Sequence, residues 1–484
     1  ADLEKRLCDS IDVDVDPHWP NKLLAEAADA LASLTRKLEE AEEVRDTLAA
    51  WAIEFLASDP EVGSHAAAGV LVATGLSGCG SDDGGTPMLT WFAMPDNGGA
   101  VTRAQDCAAS SGGAYRVRVE TLPNDATQQR EQLVRRLAAK DTSIDVLSTD
   151  VVYTAEFANA GFLRPFTAAE KQTLTDGMLA APVATGMWKD TLYAAPFKTN
   201  TQLLWYRKSL AAEAGVNPES PDYTWDQMIE AAVGQGKRVA VQGARYEGYM
   251  VWVNALVLGA GGHIITNPEA GRNATPSLAS EAGAKAAEII GSLARSPAAA
   301  ADLSTAKEEQ ARATFQGDNG MFMLNWPYVL AAARSAVEEG TLSQDVVDDI
   351  GWARYPRVFP DKPSQPPLGG ANLAIGAYTR HPDLAVQLVE CVNALPKATQ
   401  YMLDEGEPSP YEASYNDPKV REKYPNADLI RDSIGEGGPR PLTPYYVDVT
   451  GSVIQTWHPP ASVNSGTRSE EHTSELQSHH VISY

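Results

Sequence analysis

From residue 87 onward the chain alternates strand-like runs with helical ones, and that alternation narrows the possible folds more than any other feature. "PMLTWFAM" (87–94) and "YRVRVETL" (115–122) read as strands, with a helical segment around Thr102–Ala109 between them. "TQQREQLVRRLAAKD" (127–141) has the pattern of an amphipathic helix, and 143–166 reads as strand, turn and helix. Strands separated by helices predict an α/β architecture with parallel sheets. The apolar run Val146–Leu147 stops at Asp150, which places that carboxylate just past a strand's C-terminal end. Open α/β sheets bind their ligands there.

The 484 residues, 43% of them hydrophobic, suffice for a sizeable core and more than one domain. A net charge of −25 argues against nucleic acid or anionic lipid as the main partner. No apolar run has the roughly 18 residues of a spanning helix. Instead "AAAGVLVATGLSGCGSDDGG" (66–85) carries a run of signal-peptide length, Ala66 to Leu76, ending in Leu-Ser-Gly-Cys. That pattern fits a lipoprotein signal at 63–79, with Cys79 as the lipid-bearing residue and 80–87 as a tether. The stretch just upstream lacks the Lys or Arg that such signals carry.

The two ends read differently. Residues 1–62 repeat apolar or small residues in heptads (Leu24, Leu31, Leu38; Ala27, Leu34, Ala41, Leu48, Phe55) and stop at Asp59-Pro60, which predicts an extra helical segment. Nothing in that segment suggests secretion, and it is expected to be foreign to the protein behind the signal. At the other end, Arg468 to Ser478 is similar to a sequencing adapter translated in frame. The tail 468–484, histidines included, is therefore expected to be an artefact rather than a metal-binding tract.

Catalytic and metal-site patterns are not found: there is no phosphate-binding glycine loop, no paired histidines at ligand spacing and no Cys-x-x-Cys. Aromatics beside amides and acids stand out instead, in "TNTQLLWYR" (199–207), "YEGYMVWVN" (246–254), "LNWPYV" (324–329) and "YYVDV" (445–449). Aromatic faces stack on the C–H faces of sugar rings, and planar polar groups take up the hydroxyls. Carboxylates are plentiful enough that a glycosidase pair is not excluded by counting.

"DVLSTDVVYTAEFANAGFLRPF", "LYAAPFKTNTQLLWYR", "GAKAAEIIGSLARS", "NWPY" and "GGANLAIGAYTRHPDLAVQLVE" together resemble the extracellular sugar-binding proteins of ABC importers, across essentially all of 87–467. Within that family the likeness is strongest to the trehalose-binding lipoproteins of trehalose-recycling importers, on "DVVYTAEFANAG", "EEQAR", "NWPYV", "GGANLA" and "RPLTPYY". The resemblance implies a two-lobe α/β fold of the periplasmic-binding-protein type (type II), closing on its ligand about a hinge. Lobe one would comprise 87–197 and 376–432, and lobe two 198–372 and 433–467. The chain would cross near Phe197–Thr201 and again through 369–378.

The resemblance also implies a function and a site. The protein would capture a disaccharide, trehalose first and maltose, sucrose or another α-glucoside as the alternative, and deliver it to membrane permease subunits. It would act as a monomer outside the cytoplasm, held to the membrane only by lipid on Cys79, without cofactor, metal or catalysis. A secreted carbohydrate-active enzyme is the remote alternative. Asp150 would accept hydroxyl hydrogen bonds, and Asn200 would offer donor and acceptor at the hinge. Glu309 and Arg440 would hold the second glucose, with Arg440 forked onto vicinal hydroxyls. Trp326 would stack on a ring, and Gly369 and Gly370 would admit close backbone approach. Glu247 and Tyr249 match the maltose-binding branch, and Asp96 and Asn97 are similar in place only. The chain departs from the trehalose-binding pattern around that first loop and around 404–412. With Cys8 in the segment 1–62 and Cys79 committed to lipid, Cys107 and Cys391 remain. The resemblance implies cysteines at both places, and an even pair outside the cytoplasm is usually bridged, so a Cys107–Cys391 disulfide is expected.

Overall fold

The computed structural model describes residues 85–467; the helical segment expected at 1–62, the signal with Cys79, most of the tether and the tail 468–484 lie outside the described residues. Among the described residues nine strands make the two main sheets, beside two short two-stranded ribbons: β1 (Met88–Ala93), β2 (Arg116–Thr121), β3 (Val146–Asp150), β4 (Ala194–Thr201), β5 (Leu203–Arg207), β6 (Arg238–Ala240), β7 (Gly320–Asn325), β8 (Ile350–Ala353) and β9 (Leu368–Ile375). The first sheet runs β2-β1-β3-β9-β4 and the second β8-β5-β7-β6. Each is covered by helices, giving two α/β lobes. The helices that matter for the site are α1 (Gly99–Ser110), α2 (Ala126–Ala138), α3 (Glu247–Gly259), α4 (Glu308–Gln316), α5 (Pro382–Asn393), α6 (Leu395–Glu405) and α7 (Tyr446–Thr456).

Local chemistry sets these elements. β1 buries five of its six residues, as a central strand covered on both faces must. Trp91 at its middle meets Phe197 edge-on at 5.5 Å and donates from Nε1 to Ser148 Oγ at 3.0 Å. The Asp96 carboxylate accepts from Gly98 N (3.0 Å) and Ala100 N (2.7 Å), capping the start of α1. Asp125 does the same for α2 through Gln128 N at 3.1 Å, and that helix buries Gln129, Leu133 and Leu137 four residues apart.

The sheets are mixed, not parallel as the alternation predicts. β1 pairs in parallel with β2 and β3, but β9 runs antiparallel to both β3 and β4. The cause is topological: β9 returns from the second lobe and inserts between two first-lobe strands, a long-range event that local periodicity does not encode. Consequently 369–375, within the crossing expected at 369–378, is paired along its length in the first sheet, its start lying opposite Asn200 and Thr199 of the other expected crossing. The outward crossing is abrupt, with only Gln202 between β4 and β5. The segment expected as lobe one at 376–432 is divided in its packing. Ala385, Leu388 and Val392 of α5 pack with Leu89 and Trp91, whereas Tyr415, Val420 and Ile430 pack with Trp205, Phe315 and Val329. α1 and α5 lie side by side, with the Cys107 and Cys391 Sγ atoms 2.04 Å apart and their Cα atoms 5.9 Å apart. No helix among the described residues is long and apolar enough to cross a membrane.

Candidate functional site

A cleft of about 570 Å³ opens between the lobes, within the roughly 300–1,000 Å³ typical of small-molecule sites. Its first-lobe wall is Asn124, Asp125 and Asp150, its floor is Asn200 with Gly369 and Gly370, and its second-lobe wall includes Glu247, Trp326 and Arg440. Strand ends explain the convergence. β3 ends at Asp150, β4 carries Asn200 opposite Gly369 of β9, and β7 ends at Asn325 so that Trp326 enters the cleft. Trp326 is half-buried, and a Cβ on Gly369 would stand 3.2 Å from its ring, so the glycine makes room for the indole.

Arg440 is the electrostatic centre. It is 6% exposed, donates from Nη1 to Glu247 Oε1 at 2.6 Å and from Nη2 to Asp150 Oδ1 at 3.2 Å. Burial works against its charge, but Tyr446, Asp150 and Glu247 outweigh that and hold its pKa well above the ordinary value. Beside it Tyr153, just after β3, meets Tyr446, at the start of α7, edge-on at 6.1 Å. Burial, reinforced by Glu308, raises the Tyr246 hydroxyl pKa, and burial with Glu309 raises that of Tyr328. Both hydroxyls stay protonated donors at neutral pH.

Seven residues named from the sequence line the cleft: Asp150, Asn200, Glu247, Trp326, Gly369, Gly370 and Arg440. The others do not line it. Glu309 is bound to Arg312 (Nε 2.9 Å, Nη2 2.5 Å), and its helix neighbour Glu308 takes the wall position. Burial alone would raise the Glu309 carboxyl, but the hydrogen bonds and charge of Arg312 hold it below the usual range. Tyr249 is fully buried and donates to the Trp457 carbonyl at 2.5 Å. Two residues along a helix is about 200° of rotation, so Glu247 and Tyr249 of α3 cannot share a face. Asp96 is spent on capping α1 and accepting the Tyr401 hydroxyl at 3.1 Å, and Asn97 N donates to Glu405 Oε2 at 2.8 Å.

The close backbone approach at Gly370 is to the neighbouring strand: its φ is +123° and a Cβ would fall 2.3 Å from the Lys198 carbonyl oxygen. Tyr246 and Tyr328, Lys307 and Glu308, Asn124 and Asp125, and Glu405–Glu407 line the cleft without having been singled out. The tyrosines lay inside aromatic clusters that pointed to them. Glu407 lies in the divergent 404–412 stretch and binds Lys198 Nζ at 2.8 Å and Asn200 Nδ2 at 3.4 Å. Among the described residues no group of three His, Cys, Asp or Glu is placed to hold a metal.

The arrangement can surround a polar solute with carboxylate acceptors, guanidinium and tyrosine donors, and an indole face. The sequence profile described as bacterial extracellular solute-binding protein matches residues 112–394. A probable ABC transporter-binding protein of Deinococcus radiodurans is 27% identical over 331 residues, 65% of this chain and 71% of that protein. A diacetylchitobiose-binding protein of Streptomyces coelicolor is 25% identical over 205 residues, 41% of this chain and 44% of its own. Among solved structures, a maltose-bound protein of T. maritima superposes with a TM-score of 0.68 at 23% identity, over 81% of this chain and 99% of that one.

Proposed function

Because the chain belongs to the bacterial extracellular solute-binding proteins, we propose that it is the sugar-capturing component of an ABC importer and that its ligand is trehalose. Members of such a family bind a solute and pass it on unaltered. The observation that carries the sugar reading is the placement of Trp326 in an interlobe cleft of about 570 Å³ beside Asp150, Asn200 and Arg440. An indole face with acceptors and donors around it is complementary to a hydroxyl-rich ring. The relatives named for an ABC transporter and for diacetylchitobiose support the reading. Maltose is the second reading, favoured by the maltose-bound protein of like fold. The partner would be the permease of the importer. Cys79 would carry the lipid that holds the protein at the outer face of the cell membrane, and Cys107–Cys391 would be a disulfide within the first lobe.

A calorimetric panel of trehalose, maltose, sucrose and diacetylchitobiose on the full chain tests this. Trehalose is expected to bind most tightly and to be recovered intact. Heat with none of the disaccharides would remove the sugar reading; turnover to monosaccharides would decide for an enzyme.

A further inference from the structure

Glu247 lies on the cleft wall, yet its acceptor capacity is spent inside the protein. Oε1 receives Arg440 Nη1 at 2.6 Å and also the Tyr446 hydroxyl, while Oε2 receives Thr450 Oγ1 at 2.9 Å. A carboxylate offers about four acceptor positions, so little remains for a solute. Arg440 has the opposite character. It is held on one side by Glu247, reaches Asp150 on the other lobe with Nη2 at 3.2 Å, and keeps a buried Nε–H without a protein partner.

We infer that Glu247 is a positioning residue for ligand capture: it fixes the Arg440 guanidinium on the second lobe, facing Asp150, and does not itself contact the solute. This rests on the reading of the cleft as a sugar site. The physical reason is preorganisation. An arginine side chain has many rotamers, and one already clamped does not have to be ordered when the ligand arrives. The clamp comes from the fold, since Glu247 opens α3 while Tyr446 and Thr450 lie one turn apart on α7. A carboxylate in the first turn of α3 is also favoured by the helix dipole.

The test is a double-mutant cycle in the full-length protein, with trehalose as the titrant. Glu247→Ala is expected to weaken binding about 10- to 100-fold, the loss typical of a hydrogen bond to a charged group. Glu247→Gln keeps an acceptor for Arg440 and Tyr446 and presents an amide to Thr450, so it should restore most of the affinity. In an Arg440→Ala background, Glu247→Ala should weaken binding no further, because Glu247 acts through Arg440. Arg440→Met, which fills similar space but gives Glu247 no donor, serves as the background if Arg440→Ala does not fold. Additive losses would show that Glu247 contacts the sugar itself, and an unchanged Glu247→Ala would show that it does nothing; either overturns the inference. If the wild type takes up no disaccharide, the sugar reading fails. The same cycle read on denaturant midpoints of ligand-free protein then decides, with strong coupling supporting the clamp and additivity overturning it.

Discussion

Arg440 Nη2 stands 3.2 Å from Asp150 Oδ1, so a single ion pair joins the end of a first-lobe strand to the second-lobe segment that leads into α7. The pair is largely removed from water, with side-chain exposures of 6% and 20%. Removing one partner of such a pair leaves an uncompensated buried charge, which is strongly destabilising. Arg440→Ala strands two carboxylates, Asp150 and Glu247. It should lower folding stability by about 2–4 kcal/mol as well as weakening sugar binding. Urea unfolding of the ligand-free protein measures the first effect, and a midpoint equal to the wild type would contradict it.

Two adjacent glycines should respond differently to the same methyl group. At Gly370 the φ of +123° and the 2.3 Å approach to the Lys198 oxygen leave no room for a Cβ. Gly370→Ala should therefore cost about 1–3 kcal/mol of stability, the scale of a residue forced into a sparsely populated backbone region. At Gly369 the methyl would press on the Trp326 ring from 3.2 Å. Gly369→Ala should leave the unfolding midpoint close to wild type and shift the indole, weakening ligand affinity. Calorimetric titration and denaturant melts on the two variants separate these outcomes; the reverse pattern would mean that Gly370, not Gly369, supports the indole.

Acid should destabilise the first lobe through Glu170. Arg164 grips its carboxylate at both oxygens (2.9 and 3.0 Å) and Thr167 N donates to it at 2.7 Å in a capping box. The Arg164 hydrogen bonds, opposed by burial and joined by Thr167, hold its pKa below the ordinary 4.5. A carboxyl depressed in the folded state binds its proton more readily when unfolded, so its contribution is complete above the unfolded pKa and fades as pH falls through the folded value. Urea midpoints should thus decline below about pH 4.5, and Glu170→Gln should flatten that decline. An identical acid slope in the variant would remove Glu170 from the account.

Much of the cleft was legible because strand ends are. Asp150 follows a run of apolar residues, and its position past a C-terminal edge needed only periodicity. Trp326 and Arg440 came from motif resemblance, which carries spatial information that composition lacks. The failures have physical causes. Glu309 and Glu308 are neighbours on one helix, and which of them faces the cleft depends on where Arg312 sits, one turn along. Tyr249 shared a cluster with Glu247, but helical rotation sends it to the core. The antiparallel β9 was invisible because its register is fixed by partners more than 150 residues away, Asp150 and Thr201. The acids at Glu405–Glu407 reach the cleft only because α6 ends beside α1, where Glu405 binds Gly99 N at 2.8 Å.

The Cys107–Cys391 pair should act on stability without touching ligand capture. Both cysteines lie on helices that cover the first sheet, with Cα atoms 5.9 Å apart, within the range a disulfide spans. Neither residue lines the cleft, and both helices pack on the same side of the hinge, so a bridge between them does not resist lobe movement. The closed loop is long, at a sequence separation of 284, and chain-entropy arguments make such loops the more stabilising ones. Cys107→Ser is expected to lower unfolding stability by about 2–4 kcal/mol. The disaccharide Kd should stay within about twofold of wild type, as expected for a change remote from the site. Alkylation and mass measurement of non-reduced protein should show neither thiol modified. Two alkylated thiols would show that the bridge is not formed, and a loss of affinity on reduction would place it in the hinge mechanics instead.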